Sequence, residues 1–200
     1  MFIAGLTGNY GMGKSSVLLA FRDLGAVTVE SDRIVDELLE EKGVIADMKG
    51  LLGPGVTDRE GKLDKKAIAE KIFSNPESRK SVESLIHPLV FERIERLTDS
   101  VGDGDRVVII EVPLLFEGNY RERFRRVITV YTTEETALGR LEASGIPRRE
   151  ALLRLNSQMP IGRKMELADY TINNNGSREE TREQVLKVYL SLLEDKGKHD

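Results

Sequence analysis

Cysteine is absent from this sequence of 200 residues, and its absence excludes several kinds of site. The chain can form no disulfide, cannot bind a metal through thiolates and has no cysteine nucleophile, a composition that fits a reducing compartment. Histidine is almost as scarce, since only His87 and His199 occur. We therefore do not expect a zinc site built on histidine ligands.

Long apolar runs and an excess of basic charge are also missing. No apolar stretch approaches the roughly 18 residues that a bilayer span requires, and no basic region precedes the apolar N-terminal residues as it would in a signal peptide. The net charge is −4, whereas nucleic-acid binding usually requires a basic face. We therefore expect a cytoplasmic protein with neither a nucleic-acid nor a membrane partner. These patterns leave the oligomeric state open, with a monomer as the default.

Five short apolar segments indicate β-strands, and helical patterns lie between them. The segments are Phe2–Leu6, Ala26–Val29, Val107–Ile110, Val127–Tyr131 and Tyr170–Ile172. Several lack polar alternation, which is typical of parallel strands that are covered on both faces. The order of strands and helices therefore predicts an α/β fold, with a five-stranded parallel sheet flanked by helices.

Two helices have clear starting signals. The first is predicted to begin near Lys14 and to turn Val17, Leu18 and Phe21 towards the core. The last is predicted to begin after Ser177, whose spacing to Glu180 is that of a capping box.

The strongest motif begins where the first predicted strand ends. It matches G-x-x-x-x-G-K-[ST] and comprises Gly8, Asn9, Tyr10, Gly11, Met12, Gly13, Lys14 and Ser15, with Ser16 next in the chain. Such glycines bring backbone N–H groups close to phosphate oxygens, and the helix N-terminus adds partial positive charge. The lysine reaches the β- and γ-phosphates of ATP, and the serine hydroxyl binds Mg²⁺. The motif therefore predicts a P-loop NTPase fold that binds ATP and Mg²⁺; the alternative is a glycine-rich turn without a ligand.

Carboxylates stand at the ends of predicted strands, where α/β proteins place their ligands. Asp32 follows the second strand, where it could accept the proton of an attacking hydroxyl or cap the next helix. Glu111 ends the third strand as a Walker B acid does, next to Mg²⁺ or its waters; the alternative is an acid paired with a basic residue. Glu30 is a weaker candidate of the same kind.

Two helical stretches without strands interrupt the alternation and predict insertions. The predicted boundaries are 1–32, 101–138 and 167–200 for a nucleotide-binding core, 33–100 for a helical lobe and 139–166 for a lid. The lid is locally basic, with six basic and two acidic residues from Arg140 to Lys164. This excess suits a lid that closes over polyphosphate, although a solvated helical hairpin is the alternative.

His87 precedes Pro88 between two helical patterns. Because proline suits the first turn of a helix, the pair predicts a junction between two helices. On the residues alone, His87 is a junction residue rather than a catalyst.

Several further segments of the chain form a recognisable series. They are Gly5-Leu6-Thr7-Gly8, Glu30-Ser31-Asp32, Leu85-Ile86-His87-Pro88, Val112-Pro113-Leu114-Leu115-Phe116-Glu117, Arg154 with Gln158-Met159-Pro160, and Lys164 with Ala168-Asp169 and Asn174. In this order, and from about residue 2 to 190, they resemble the dephospho-CoA kinase family. Glu30 and Glu111 stand where that family usually has aspartate.

The resemblance implies transfer of the γ-phosphoryl group of ATP to the ribose 3′-hydroxyl of dephospho-CoA, the last step of CoA biosynthesis. The lobe at 33–100 would then bind the CoA substrate. Asp32 would be the general base, and Lys14 and Arg154 would stabilise charge on the transferring group. The acceptor site would comprise Thr7, Asp32, His87, Leu114, Phe116 and Glu117. Arg140 and Asn174 would lie near the base of ATP, and Ser15 and Glu111 would hold the metal.

Other functions stay open on the residues alone. The same P-loop would serve a kinase for a nucleoside, nucleotide or shikimate-like acceptor, a regulatory nucleotide switch, or a structural loop without a ligand. A GTPase switch would normally carry an N-K-x-D guanine-binding motif, and no such tetrapeptide occurs. The hydroxyl compound that drives ADP formation distinguishes the kinases from one another.

Overall fold

The structure is a computed structural model that describes residues 2–100 and 106–198, apart from the side chains of Phe73 and of residues 98–100. His199 and the predicted core residues 101–105 lie outside the described residues. The chain divides into two compact units, one formed by Met1–Glu30 with Asp103–Asp200 and the other by Ser31–Gly102. Of the helices that are described, none combines the length and the apolar character that crossing a membrane requires.

The first unit alternates strands and helices. Its elements are β1 Phe2–Thr7, α1 Lys14–Asp23, β2 Val27–Glu30, β3 Val107–Glu111, a 3₁₀ turn Arg121–Arg123, β4 Arg126–Tyr131, α6 Glu134–Ala143, α7 Arg148–Asn156, α8 Ile161–Leu167, β5 Tyr170–Asn173 and α9 Arg178–Gly197. The second unit contains α2 Ser31–Leu38, α3 Lys42–Leu52, a 3₁₀ turn Pro54–Val56, α4 Lys65–Ser74 and α5 Pro76–Ser100.

The sheet has the strand order β2-β3-β1-β4-β5, and all neighbouring strands are parallel. The register pairs Phe2 with Val107 and Ala4 with Arg126, so β1 lies at the centre. All five strands predicted from the sequence are confirmed. Because β2 and β4 lie on opposite sides of β1, the loop after β1 opens at the point where α/β sheets bind ligands.

One face of the sheet is covered by α1 and α9. Val17, Phe21, Val185 and Leu192 are fully buried among strand side chains, which confirms the inward face predicted for the first helix. Each such burial stabilises the fold by about 1.5–3 kcal/mol relative to exposure. Packing of α1 therefore fixes the position of its N-terminal residue, Lys14.

The second unit is built from helices around its own apolar contacts. Met48 of α3, Val56 of the 3₁₀ turn, and Ile86, Val90 and Ile94 of α5 are buried. Helix α5 packs against α2, α3 and α4, so it is the central element of this unit.

The predicted helix junction at His87 and Pro88 is wrong. A single helix of 25 residues, α5, runs through both positions with Pro88 in its interior. An interior proline removes one backbone hydrogen bond and costs roughly 3 kcal/mol. Burial of Ile86, Val90 and Ile94 on either side of Pro88 offsets this cost, because each contributes stabilisation of comparable size.

The start of α9 has the capping box that the sequence predicts. Ser177 Oγ accepts a hydrogen bond from the Glu180 N–H at 3.1 Å, and Glu180 Oε2 accepts one from the Ser177 N–H at 2.7 Å. These two bonds satisfy backbone donors that would otherwise lack a partner inside the helix.

We predict that Ser177→Ala lowers the free energy of unfolding by about 1 kcal/mol, because the Glu180 N–H loses its acceptor. Urea denaturation followed by circular dichroism measures this. Ser191→Ala is the matched control in the same helix, since Ser191 Oγ only bonds back to the Lys187 carbonyl at 3.1 Å; it should change stability by less than about 0.5 kcal/mol. Equal effects of the two changes would contradict the capping role.

Candidate active site

The loop from Gly8 to Gly13 joins the central strand to α1 and has backbone angles that favour glycine. Gly8 has φ 149° and Gly13 has φ 80°. A Cβ on Gly8 would collide with the Val130 carbonyl oxygen, and a Cβ on Gly13 would collide with Asn174 Nδ2. The loop can therefore take this shape only with glycine at both positions, as the motif requires.

Lys14 and Glu111 lie together at the carboxyl edge of the sheet. Lys14 Nζ is 3.9 Å from Glu111 Oε1, and each side chain is only 11% exposed. Lys14 Nζ also donates to the Asn9 carbonyl at 3.4 Å. Glu111 can therefore be both a Walker B acid and an acid paired with a basic residue, because its basic partner is the P-loop lysine itself. Glu30 faces Glu111 in the strand register but is exposed.

Asn174 joins the P-loop to the segment after β5. Its Nδ2 donates to the Met12 carbonyl at 3.0 Å, and its Oδ1 accepts from Thr181 Oγ1 at 3.0 Å. Arg140 Nη2 donates to the Asn174 carbonyl at 2.8 Å. The side-chain amide of Asn174 is therefore occupied in holding the P-loop in place.

A cleft of about 360 Å³ lies beside this cluster. Its lining includes Gly13 and Ser16 from the P-loop end, together with Arg140 and Asn174. Arg178 and Arg182 of α9 add further positive charge to the wall. The predicted base-site residues Arg140 and Asn174 are therefore neighbours at a real concavity that adjoins the phosphate loop.

The segment between α7 and α8 contacts the first half of the P-loop. Asn9 Nδ2 donates to the Met159 carbonyl at 3.0 Å, and the Tyr10 N–H donates to Gln158 Oε1 at 2.8 Å. Asn9 Oδ1 is buried without a hydrogen-bond partner among the described residues. It is an acceptor beside the loop that water or a ligand could satisfy.

Most of the basic residues in the predicted lid already have acidic partners. Arg148 pairs with Glu135 and Glu142, and Arg154 pairs with Glu150. Arg163 pairs with Glu166. Such exposed pairs are worth at most about 1 kcal/mol each, so they can give way to phosphate at little cost.

Glu117 and Lys164 form an ion pair that the sequence analysis did not identify. Lys164 is fully buried; its Nζ lies 2.9 Å from Glu117 Oε1 and donates to the Pro113 carbonyl at 3.1 Å. Burial lowers the pKa of Lys164 below its ordinary value, and Glu117 opposes this effect. The Met159 N–H also donates to Glu117 Oε1, at 2.9 Å. Glu117 therefore connects the loop after β3 both to α8, through Lys164, and to the segment between α7 and α8, through Met159.

The other predicted acceptor residues of the first unit differ in accessibility. Thr7 is fully buried and donates through Oγ1 to the Pro113 carbonyl at 3.1 Å, so its side chain is inaccessible in this conformation. Phe116 is buried, whereas Leu114 is 49% exposed. Of these residues, Leu114 is the one available for contact with a ligand.

Asp32 and His87 belong to the second unit, and their part in the site stays a prediction. Asp32 is exposed in the first turn of α2, which begins at Ser31, so Asp32 is not the residue that caps this helix. His87 is half-buried in α5, where burial lowers the pKa of its imidazole and Glu83 opposes the shift.

Sequence reasoning named Tyr10 in the P-loop and Glu117 in the acceptor site, but it missed the contact of Tyr10 with Gln158 and the Glu117–Lys164 pair. Tyr10 stands at an x position of the motif, where any residue is allowed. The sequence around Lys164 does not distinguish it from other lysines of polar helices. The segments that carry the family resemblance included Gln158, Glu117 and Lys164, and that was the available signal.

The parallel sheet, the glycine loop and the lysine that faces a strand-end acid together define a P-loop nucleotide-binding protein. This class includes kinases and nucleotide switches, so the geometry alone leaves the reaction open.

Comparison with known proteins identifies the family within this class. A family model for dephospho-CoA kinase matches residues 2–180. A dephospho-CoA kinase of Aquifex aeolicus is 36% identical over 193 residues, covering 96% of this chain and 97% of the relative. The Thermus thermophilus protein TT1252 is 34% identical with a TM-score of 0.86, covering 95% of this chain and 96% of that one. A dephospho-CoA kinase from Campylobacter jejuni is 26% identical with a TM-score of 0.70, covering 97% and 98% of the two chains. The chain belongs to the dephospho-CoA kinase family.

We predict that Lys164→Met lowers the free energy of unfolding by about 2–4 kcal/mol, because the half-buried carboxylate of Glu117 loses its counter-charge. Chemical denaturation measures this, and adding Glu117→Gln to the same chain should recover part of the loss. Arg163→Met is the matched control one residue away, since Arg163 is 59% exposed and should cost less than about 1 kcal/mol. A Lys164→Met variant as stable as the unchanged chain would contradict the role of the pair.

Proposed function

We propose that this chain transfers the γ-phosphoryl group of ATP to the ribose 3′-hydroxyl of dephospho-CoA, giving CoA and ADP. The observation that carries the proposal is the P-loop, with Lys14 facing Glu111, in a chain that matches the dephospho-CoA kinase family over residues 2–180. The acceptor oxygen bonds to the γ-phosphorus, the bond to the β–γ bridging oxygen breaks, and the hydroxyl proton leaves to a base. Catalysis in such a reaction consists mainly of positioning and charge stabilisation.

In this proposal the phosphates are bound by the ammonium of Lys14 and by backbone N–H groups of residues 8–15, apart from the Tyr10 N–H, which Gln158 Oε1 occupies. Packing of α1 fixes the position of Lys14, whose Nζ lies 3.9 Å from Glu111 Oε1 at the edge of the P-loop, where a phosphate oxygen would bind. Arg154, on α7 above the P-loop residue Tyr10, supplies a second positive charge to the transferring group.

Ser15 and Glu111 are the proposed ligands of Mg²⁺. Both side chains offer oxygen atoms, which Mg²⁺ prefers, and such sites usually combine one or two protein groups with substrate phosphates and water. Ser15 lies in the first turn of α1, directly after Lys14, and Lys14 contacts Glu111. Mg²⁺ held there would neutralise charge on the phosphate oxygens. The side chain of Glu111 is one methylene longer than that of aspartate, which would shift its contact with the metal.

Asp32 is the proposed general base. Its carboxylate is exposed two residues after the end of β2, and the acceptor hydroxyl needs a group that takes its proton as the phosphorus bond forms. By the same proposal, His87, Leu114 and Phe116 belong to the acceptor site, with residues 33–100 as the lobe that binds the CoA part.

Thr7 and Glu117 enter this acceptor site indirectly. Thr7 and Lys164 both donate to the Pro113 carbonyl, and Lys164 binds Glu117, so these residues set the position of the loop that carries Leu114. This explains why they accompany the acceptor residues although their polar side-chain atoms bind other residues of the protein.

The cleft beside Arg140 and Asn174 is the proposed site for the base of ATP. It lies next to Gly13 and Ser16, on the side of the P-loop that faces α9, and Arg140 is held there by the Asn174 carbonyl.

Residues 139–166 act as the lid in this proposal. We place the reaction in the cytoplasm, where a chain without cysteine and with nucleotide substrates would be expected.

Release of ADP with ATP and Mg²⁺, measured with and without dephospho-CoA, tests the function. We expect ADP only when the acceptor is present, and a product heavier by one phosphoryl group in the mass spectrum. Shikimate and nucleosides are the comparison acceptors, and faster ADP release with either of them would overturn the proposal.

Lys14→Ala should lower turnover in the same assay by roughly 10²–10³-fold while the fold survives, because a charge-stabilising group is lost.

We predict that Asp32→Asn keeps ATP binding, measured by titration calorimetry, but loses most phosphoryl transfer, because the amide cannot take the proton. Asp36→Asn is the matched control on α2; Asp36 pairs with Lys65 at the surface, and its variant should turn over at the normal rate. Normal turnover by Asp32→Asn would remove Asp32 as the base.

A further inference from the structure

Tyr10 contacts the predicted lid through three separate parts of its structure. Its N–H donates to Gln158 Oε1 at 2.8 Å, and its hydroxyl accepts from Arg154 Nη1 at 2.9 Å. Its ring packs against a buried apolar cluster of α6 and α7, formed by Leu138, Leu141, Ala151 and Leu155. The P-loop motif leaves this position free, so general phosphate binding explains none of these contacts.

Arg154 is held over the ring of Tyr10. The guanidinium carbon lies 5.0 Å from the ring centroid, which is within the range of a cation–π interaction. On its other side, Nη2 binds Glu150 Oε1 at 2.5 Å, one turn earlier on the same helix. Among the described residues, Glu150 would be the remaining contact of this guanidinium if Tyr10 were absent, and Glu150 lies back along α7 rather than towards the P-loop.

The contacts between Tyr10 and Arg154 matter for the reaction because of where Tyr10 lies in the chain. Tyr10 is part of the loop whose backbone binds the phosphates, so a charge resting on its ring has a fixed relation to them. A charge already in place when the phosphoryl group moves stabilises the transition state more than one that must first be ordered.

We propose that Tyr10 is a positioning residue that holds the guanidinium of Arg154 beside the P-loop for phosphoryl transfer. This inference rests on the proposed function, which assigns Arg154 to the transferring group. Tyr10 acts through Arg154 and through no contact of its own side chain with ATP. Gln158 supports it by fixing the backbone of Tyr10 from the lid side.

Steady-state kinetics of Tyr10→Phe, Tyr10→Leu, Arg154→Ala and the double variants test this. Tyr10→Phe keeps the ring and loses the hydroxyl acceptor, so kcat should fall about 3–10-fold. Tyr10→Leu keeps apolar bulk and loses both contacts, so kcat should fall about 10–50-fold, with KM for ATP changed less than about 3-fold. Arg154→Ala should lose on the order of 10²-fold, and adding Tyr10→Leu to it should cause no further loss.

The matched control is Tyr189→Phe, because Tyr189 lies on α9 and contacts Phe21 away from the P-loop. Its kcat should be unchanged. Thermal unfolding of each variant separates a folding defect from a kinetic one, and if Tyr10→Leu does not fold, Tyr10→Phe with Arg154→Ala provides the same double-variant comparison.

Full turnover by Tyr10→Leu would overturn the inference, and so would losses that multiply in the double variant. Full turnover by Arg154→Ala would also overturn it, since Tyr10 would then position a side chain without a role. Absence of dephospho-CoA-dependent ADP from the unchanged chain would instead overturn the proposed function. The Tyr10–Arg154 comparison is then made on acceptor-independent ATP hydrolysis, so the two failures are distinguishable.

Discussion

The rest of the site depends on one constraint, which is that the P-loop backbone lies very close to groups of neighbouring segments. Gly8 passes the Val130 carbonyl of β4, and Gly13 passes the side-chain amide of Asn174. Neither approach leaves room for a Cβ, and both glycines have positive φ. Strand β4 and the segment after β5 therefore have to be in place for the loop to present its N–H groups.

The same loop is held by polar contacts on three sides. Glu111 lies beside Lys14, Asn174 holds the Met12 carbonyl, and Gln158 holds the N–H of Tyr10. These three partners come from the end of β3, the segment after β5 and the lid. The proposed phosphate loop, the proposed base cleft and the predicted lid thus share contacts with one short stretch of backbone.

Sequence reasoning located the five strands and the start of α1 because continuous apolar runs and the P-loop are local signals. It failed at His87 and Pro88, where it expected a junction, because proline's local preference was overridden by apolar packing along α5. The resemblance places Glu117 among the acceptor residues, and this stays a prediction; what the sequence did not predict is that Glu117 Oε1 binds Lys164 and the Met159 N–H. No local pattern predicts that pair, because its members meet only after β4 and α8 have packed.

The sequence by itself determined the α/β alternation, the position of the phosphate loop and the acids available at strand ends. These follow from short-range rules: apolar periodicity, glycine freedom and helix capping act within a few residues. Only the tertiary structure decided that Lys14 faces Glu111, that Asn174 holds Met12 and that Arg154 rests on Tyr10. Each of those contacts joins residues far apart in the chain, and their distance depends on how the sheet orders its strands rather than on any local preference.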